Sequence, residues 1–252
     1  MRTRILAQAL IGWCVVAIAS LSAESRPRTD NPSDRALRFF ERLSVLKPGE
    51  VLRALRPAPL DADARRSVLA ALPSAGELTP SSAEAEKLAQ MTDVLVYHDR
   101  QHVFQTKVID VRQAVVALHA RLVLLISRPA LHLLSGTELR AVVAHEVGHD
   151  YFWEDYAQAR AARDTRGLHE VELKCDGIGV LTLVELGLDP ASLGAAAGKL
   201  TRYNGVVGAL ANVKEYPGLT ERVRFARDLV AMHIRSSPAR RPAAVLSKTS
   251  RN

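Results

Sequence analysis

The chain has 252 residues, of which 48% are hydrophobic and 24% are charged, a composition that excludes a disordered chain. Its length is enough for one or two domains with a buried core, and the aromatic content of 5% makes that core mainly aliphatic. The formal net charge is +7, yet no stacking aromatics are interleaved with the basic residues, which argues against nucleic-acid binding.

The N-terminus, residues 1–23, is predicted to be a cleaved signal peptide. Residues 1–4 are basic, residues 5–19 are apolar, and small residues lead up to Ala23. The alternative is an inner-membrane anchor formed by residues 5–21, because about 17 apolar residues is the lower limit for crossing a bilayer. Cleavage predicts a periplasmic or secreted protein, assuming a bacterial source.

Residues 24–82 are predicted to form an N-terminal linker and a helical segment that packs but carries no chemistry. Apolar residues at helical spacing predict helices at 34–46, 51–55 and 61–72. The main domain is expected at 83–235, and residues 236–252 are expected to form a disordered basic tail.

The first part of the main domain is predicted to contain a small antiparallel sheet. After a helix at 83–91, apolar patterns predict strands at 93–98, 103–111, 114–119 and 121–127. An edge strand of such a sheet can hold an extended peptide by backbone pairing. The nearby histidines are expected to be surface or structural residues: His98, His102, His119 and His132.

The most informative stretch is Ala144–Asp150, which reads Ala-His-Glu-Val-Gly-His-Asp. Residues four apart share one face of a helix, so His145 and His149 can both direct a ring nitrogen at one zinc ion. Glu146 lies beside them and can act as general base toward a zinc-activated water. The motif therefore predicts one zinc ion per chain.

A catalytic zinc needs a third protein ligand, which the segment Glu170–Gly177 can supply. If this segment is helical, Glu172 and Asp176 share a face. Glu172 is then the predicted third ligand, and Asp176 accepts the far ring N–H of a ligand histidine. The alternative is a solvated charged face in which Glu170 pairs with Lys174, and that pair can coexist with the metal site.

Cys175 lies inside the same segment. The chain has 2 cysteines, and Cys14 falls within the predicted signal peptide, so no internal disulfide is expected. Cys175 is expected to be a small buried spacer rather than a thiol next to the metal.

The rest of the main domain is predicted to be helical. The metal-binding helix is expected to start at a capping box of Ser135 and Glu138 and to run to about residue 162. Further helices are predicted at 171–186, 191–203 and 219–234, with a loop at 204–217.

These segments occur in an order that resembles a known peptidase family. The motif segments in chain order are the strand at 121–127, His-Glu-x-x-His, Glu-x-x-Cys-Asp-Gly at 172–177, Leu-Asp-Pro at 188–190, Tyr216-Pro217 and Glu221-Arg222-Val223. Over roughly residues 90–229 the chain is similar to the HtpX-like zinc endopeptidases, metallopeptidase family M forty-eight. The short interval between the second histidine and the third ligand also resembles the ImmA-like metallopeptidases.

The resemblance implies an α+β fold: a mainly helical, zincin-like metallopeptidase domain of gluzincin type with the small sheet before the metal-binding helix. The roles carried over by position are zinc ligand for His145, His149 and Glu172, general base for Glu146, and acceptor behind a ligand for Asp176. Tyr216 stands where the family commonly has histidine, and its hydroxyl would donate to the oxyanion. Cys175 stands where the family usually has alanine.

The function expected from these features is an exported zinc-dependent metalloendopeptidase, a hydrolase acting on polypeptides. Family analogy points to misfolded envelope proteins as substrates and to envelope protein quality control as the role. The alternative is a catalytically inactive pseudo-peptidase or chaperone-like adaptor that keeps the zinc site. Membrane contact is expected only through an uncleaved N-terminus or the basic tail.

Overall fold

The computed structural model describes residues 31–72, 77–208 and 216–236. The predicted signal peptide, its anchor alternative and the basic tail beyond Ser236 lie outside these residues, as do residues 209–215 of the predicted loop at 204–217. Within the described ranges, no helix combines the length and the apolar character that a bilayer crossing requires.

The described residues form an α+β structure, as predicted, with eleven helices and four strands. The helices are α1 (Pro32–Glu41), α2 (Pro48–Leu55), α3 (Ala62–Ala71), α4 (Ser82–Gln90), α5 (Thr92–Tyr97), α6 (Arg128–Leu133), α7 (Gly136–Tyr151), α8 (Trp153–Ala162), α9 (Thr165–Glu185), α10 (Ala191–Val206) and α11 (Leu219–Ser236). The strands are β1 (Glu77–Leu78), β2 (Gln105–Ile109), β3 (Val116–His119) and β4 (Val123–Ser127).

The four strands form one mixed sheet in the order β1-β2-β4-β3. The prediction of a wholly antiparallel sheet is wrong, because β2 and β4 pair in parallel while the β1–β2 and β3–β4 pairs are antiparallel. The chain between β2 and β4 runs through β3, so β4 enters the sheet between its two predecessors. This order leaves β3 at one edge, next to α7.

The central strand β4 is buried on both faces, which explains its continuous apolar sequence. Leu124 and Ile126 belong to the core that the sheet shares with α7, while Val123 and Leu125 belong to a smaller cluster against α3. The sheet is thus covered by α3 on one side and by the metal-motif helix α7 on the other.

Helix α9 is the centre of the second core, which joins the N-terminal helices to the main domain. Its apolar side chains pack with Ala36 and Phe40 of α1, Val51 and Leu52 of α2, and Phe225 of α11. The helices α1 and α2 of the N-terminal segment thus enter the core around α9. That this segment carries no chemistry stays a prediction.

Several predicted elements differ from the structure: α1 ends at Glu41 rather than at 46, α10 extends to Val206 into the predicted loop, and three larger differences follow. Residues 93–98 were predicted as a strand but form α5, in which Val94 and Leu95 are buried and Val96 is 51% exposed. The metal-motif helix ends at Tyr151 rather than near 162, because Phe152 leaves the helical conformation and buries its ring against Phe39 of α1.

The third difference is the start of α9, which lies at Thr165 rather than near 171. Arg163 ends α8 in a left-handed conformation, and the Asp164 side chain then caps α9 by accepting from the Arg166 backbone N–H. The connection between α8 and α9 is therefore limited to Arg163 and Asp164.

Candidate metal centre

The motif residues lie together on α7 in the interior of the protein. The helix begins at the predicted capping box, in which the Glu138 N–H donates to Ser135 Oγ and the Ser135 N–H donates to Glu138 Oε2. His145, Glu146 and His149 are 5%, 0% and 1% exposed, and their ligand atoms lie within 4.8 Å of one another. This buried group could hold a metal ion.

Glu172 of α9 faces both histidines. Its Oε2 lies 3.6 Å from His145 Nε2, and its Oε1 lies 3.7 Å from His149 Nε2. Ligands at 2.0–2.1 Å around a tetrahedral ion are separated by about 3.3–3.4 Å, so the three side chains are close to the spacing of such a site. The set of two imidazoles and one carboxylate also fits zinc chemically.

Glu170, the other glutamate at the start of this segment, points elsewhere. It forms ion pairs with Lys174 at 3.0 Å, as predicted at i,i+4, and with Arg35 of α1 at 2.9 Å. The Lys174 ammonium also lies over the Phe39 ring, 5.0 Å from its centroid. These two glutamates of α9 thus face different surroundings, and Glu172 is the one that lies against the two motif histidines.

Asp176 lies behind His145, in the position predicted for it. Its Oδ1 accepts from His145 Nδ1 at 2.8 Å, so Nε2 is the ring nitrogen left facing Glu172. Arg222 of α11 donates to both oxygens of Asp176, through Nε to Oδ2 at 2.8 Å and through Nη2 to Oδ1. The 3.3 Å between Arg222 Nη2 and His145 Nδ1 is therefore a separation between two donors that share one acceptor.

The charges of this network set two pKa values in opposite directions. Burial alone would lower the pKa of His145, but the carboxylates of Asp176 and Glu172 outweigh it and raise the pKa to about 9. Burial works to raise the pKa of Asp176, yet the Arg222 guanidinium and the hydrogen bond from His145 lower it to about 2. Asp176 is thus a permanent anion behind His145.

For His149 and Glu146, burial is the main cause of the pKa shift. Burial lowers the pKa of His149 to about 4, so its ring is neutral at physiological pH and has a lone pair for a metal. Burial raises the pKa of Glu146 to about 7, which is near the optimum for a group that takes and returns a proton.

The edge strand β3 contacts the site through its backbone. The Leu118 N–H donates to Glu146 Oε2 at 2.9 Å, which ties this carboxylate to the sheet. His119, the histidine at the end of β3, is exposed. His98 is fully buried, and its two ring nitrogens contact the hydroxyls of Tyr151 and Thr182. Both therefore fit the predicted surface or structural roles.

Cys175 is fully buried, as expected, and it is also adjacent to the cluster, which was not expected. Its Sγ lies 3.5 Å from His149 Nδ1. Burial and the neighbouring carboxylates raise the pKa of the thiol well above its ordinary value, so the group is uncharged.

Two contributors were not assigned roles from the sequence. Arg222 belongs to the Glu-Arg-Val segment that carried the family resemblance, so that segment could have signalled it. The Leu118 N–H is a backbone group, and no side-chain pattern could have identified it. Tyr216 lies just before α11, six residues ahead of Arg222, and its role at the oxyanion stays a prediction.

Comparison with known proteins gives no further assignment. No family model matches the chain, and no curated protein matches it significantly.

Proposed function

We propose that this protein is a zinc-dependent metalloendopeptidase of the HtpX-like type. The observation that carries the proposal is the buried cluster of His145, Glu146 and His149 with the Glu172 carboxylate 3.6 and 3.7 Å from the two Nε2 atoms. Three ligands and one additional acid match the composition of a catalytic site with an open position, whereas a structural zinc site has four protein ligands.

In this proposal each side chain of the site has a separate role. When bound, zinc supplies Lewis acidity toward a peptide carbonyl and toward water. His145, His149 and Glu172 hold the ion, and Asp176 with Arg222 keeps the His145 ring oriented. Glu146 takes a proton from the attacking water and passes it to the leaving amine.

The hydrogen bond from the Leu118 N–H places the edge strand β3 directly beside Glu146, which supports a role for this strand next to the reacting peptide. The Leu118 N–H donates to Glu146 Oε2 and so holds this carboxylate against β3, which supports its role as general base in the proposal. Polypeptides are the proposed substrates. Export through the N-terminal signal and action on misfolded envelope proteins are proposed on the sequence pattern and family analogy alone.

Glu146→Gln tests the proposed chemistry directly. The amide retains an oxygen that can accept from the Leu118 N–H, so the variant is expected to fold and to bind one zinc per chain. Cleavage of a labelled unfolded protein, sensitive to chelator in the wild type, should fall by at least about 100-fold because the general base is lost.

The matched control is Glu154→Gln, which changes an exposed acid on α8 and should cleave like the wild type. Equal proteolysis by Glu146→Gln and the wild type would reject the peptidase mechanism. Zinc binding without cleavage in the wild type would favour the adaptor alternative.

A further inference from the structure

The two motif histidines turn the same ring nitrogen toward consecutive residues of α9. His145 Nδ1 lies 2.8 Å from Asp176 Oδ1, and His149 Nδ1 lies 3.5 Å from Cys175 Sγ. Both Nε2 atoms lie on the side of Glu172. Each histidine therefore has its metal-facing nitrogen on one side and a neighbour from α9 on the other.

The position of Cys175 is fixed by direct contact between the helix backbones. A Cβ placed on Gly148 would lie 2.6 Å from Cys175 Cα, so the two helices approach as closely as a glycine allows at this point. A Cβ placed on Gly179 would lie 3.3 Å from the His145 backbone nitrogen. Because Gly179 contacts the His145 backbone and Gly148 contacts Cys175, α7 and α9 run antiparallel. Cys175 therefore lies beside the last turn of α7.

We propose that Cys175 is a positioning residue for His149: its sulfur accepts the Nδ1–H and thereby leaves Nε2 for the metal. This inference rests on the proposed metal site. An N–H donor at 3.5 Å from sulfur is at the separation of a weak hydrogen bond, longer than one to oxygen because the sulfur atom is larger. The contact selects one tautomer of His149, as Asp176 does for His145.

The consequence is an unequal pair of ligands. His145 is backed by an anion that is itself paired with Arg222, whereas His149 is backed by an uncharged thiol. A carboxylate behind a histidine increases the electron donation of its ring, and a thiol does so far less. His149 therefore holds the ion without adding a second buried negative charge behind the ligands.

Zinc affinity in Cys175→Ala measures this role. The substitution removes only the sulfur, and because the residue is 0% exposed, bulk water does not reach the site to replace it. The zinc Kd, from competition with a chromophoric chelator, is expected to rise about tenfold, at the lower end for lost partners of metal-binding histidines. Cys175→Ser keeps a small acceptor and should bind zinc more tightly than Cys175→Ala.

The matched control is Ile178→Val, which removes one buried methyl group from the same core cluster and no hydrogen-bonding atom. Its zinc Kd should stay within about twofold of the wild type. A second readout is the Nδ1–H resonance of His149 in the zinc-loaded protein, which should shift in Cys175→Ala while that of His145 stays in place.

The outcomes separate this inference from the proposed function. If the wild type binds zinc and Cys175→Ala binds it equally well, or no more weakly than Ile178→Val, Cys175 is a packing residue and the inference is overturned. If the folded wild type binds no zinc, the metal site itself is wrong. If Cys175→Ala does not fold, two measurements test the inference instead: the zinc affinity of Cys175→Ser against that of the wild type, and the Nδ1–H resonance of His149 in the zinc-loaded wild type. Absence of that resonance would overturn the inference.

Discussion

Burial decides the chemistry of individual histidines in this protein, and His98 shows the effect outside the metal cluster. Its Nδ1 lies 2.8 Å from Tyr151 Oη and its Nε2 lies 2.8 Å from Thr182 Oγ1. Because the Thr182 hydroxyl donates to the Ile178 carbonyl, Nε2 donates to Thr182. Burial keeps the ring neutral by lowering the pKa of His98, so Nδ1 carries a lone pair toward Tyr151 Oη, whose hydrogen can go to Nδ1 or to the Leu52 carbonyl 3.2 Å away.

This environment predicts a defined pH dependence of stability. Burial, together with the charges of Arg56 and Arg100, lowers the pKa of His98 from 6.5 to about 3. Between these values the unfolded chain binds a proton that the folded chain rejects, so the stabilisation is complete above pH 6.5 and is lost as the pH falls toward 3.

Replacing His98 by Gln should remove this dependence. Denaturant unfolding across the acidic range should show the wild type losing up to about 1.4 kcal/mol more per pH unit than His98→Gln. The histidines of the metal cluster titrate in both proteins and cancel in the difference. Parallel stability curves for the two proteins would show that His98 is not a buried neutral base.

Much of the candidate metal site could be predicted from the sequence, because helical spacing alone places the motif histidines on one face. The choice of Glu172 over Glu170 followed from the acid four residues further on, and the structure places Glu172 against both histidines. The contacts of Arg222 and Leu118 could not be predicted in this way, because they depend on how distant segments pack.

The pairing of α7 with α9 is the structural basis of the site, since one helix carries the motif and the other carries Glu172, Cys175 and Asp176. The close approach at Gly148 brings these side chains into contact. Helices could be recognised from the sequence where the helical pattern of apolar residues extends over many residues. The six residues of α5 were mistaken for a strand, because a short apolar run has no distinct period.

Gly148→Ala should separate these two helices. Alanine favours the interior of a helix by itself, so any loss of stability reports the contact with the Cys175 backbone. We expect the free energy of unfolding to fall by about 1–3 kcal/mol and zinc binding to weaken, measured by denaturation and chelator competition.

The control for this substitution is Gly218→Ala, where an added Cβ meets nothing within 4 Å. Its stability should change by no more than about 0.5 kcal/mol. Wild-type stability and wild-type zinc affinity in Gly148→Ala would contradict the close packing of α7 on α9.

Asp150, the residue after the second motif histidine, links the N-terminal region to α7 through two arginines. It accepts from Arg100 at 2.8 Å and from Arg121 at 2.7 Å, and both arginines also donate to backbone carbonyls of the N-terminal region, at Pro57 and Ala58. Arg100 and Asp150 are 1% and 2% exposed. The N-terminal region is therefore bonded to the end of the metal-motif helix through buried charges.

Asp150→Asn should be strongly destabilising, because it leaves two arginines next to a neutral group. The expected loss is about 3–5 kcal/mol of unfolding free energy, measured in urea. Asp63→Asn breaks the exposed pair with Arg66 and should change stability by less than about 1 kcal/mol. Equal, small effects of the two substitutions would mean that the buried charges do not join these regions.

We propose that His145, His149 and Glu172 together hold one zinc ion, and the most direct test of this site is metal content. Wild type, Glu172→Gln and Glu170→Gln would be purified together, and zinc per folded chain measured by elemental analysis. We predict one zinc per chain in the wild type and in Glu170→Gln, and greatly weakened binding in Glu172→Gln. A folded wild type without zinc, or Glu172→Gln with full zinc, would contradict the account.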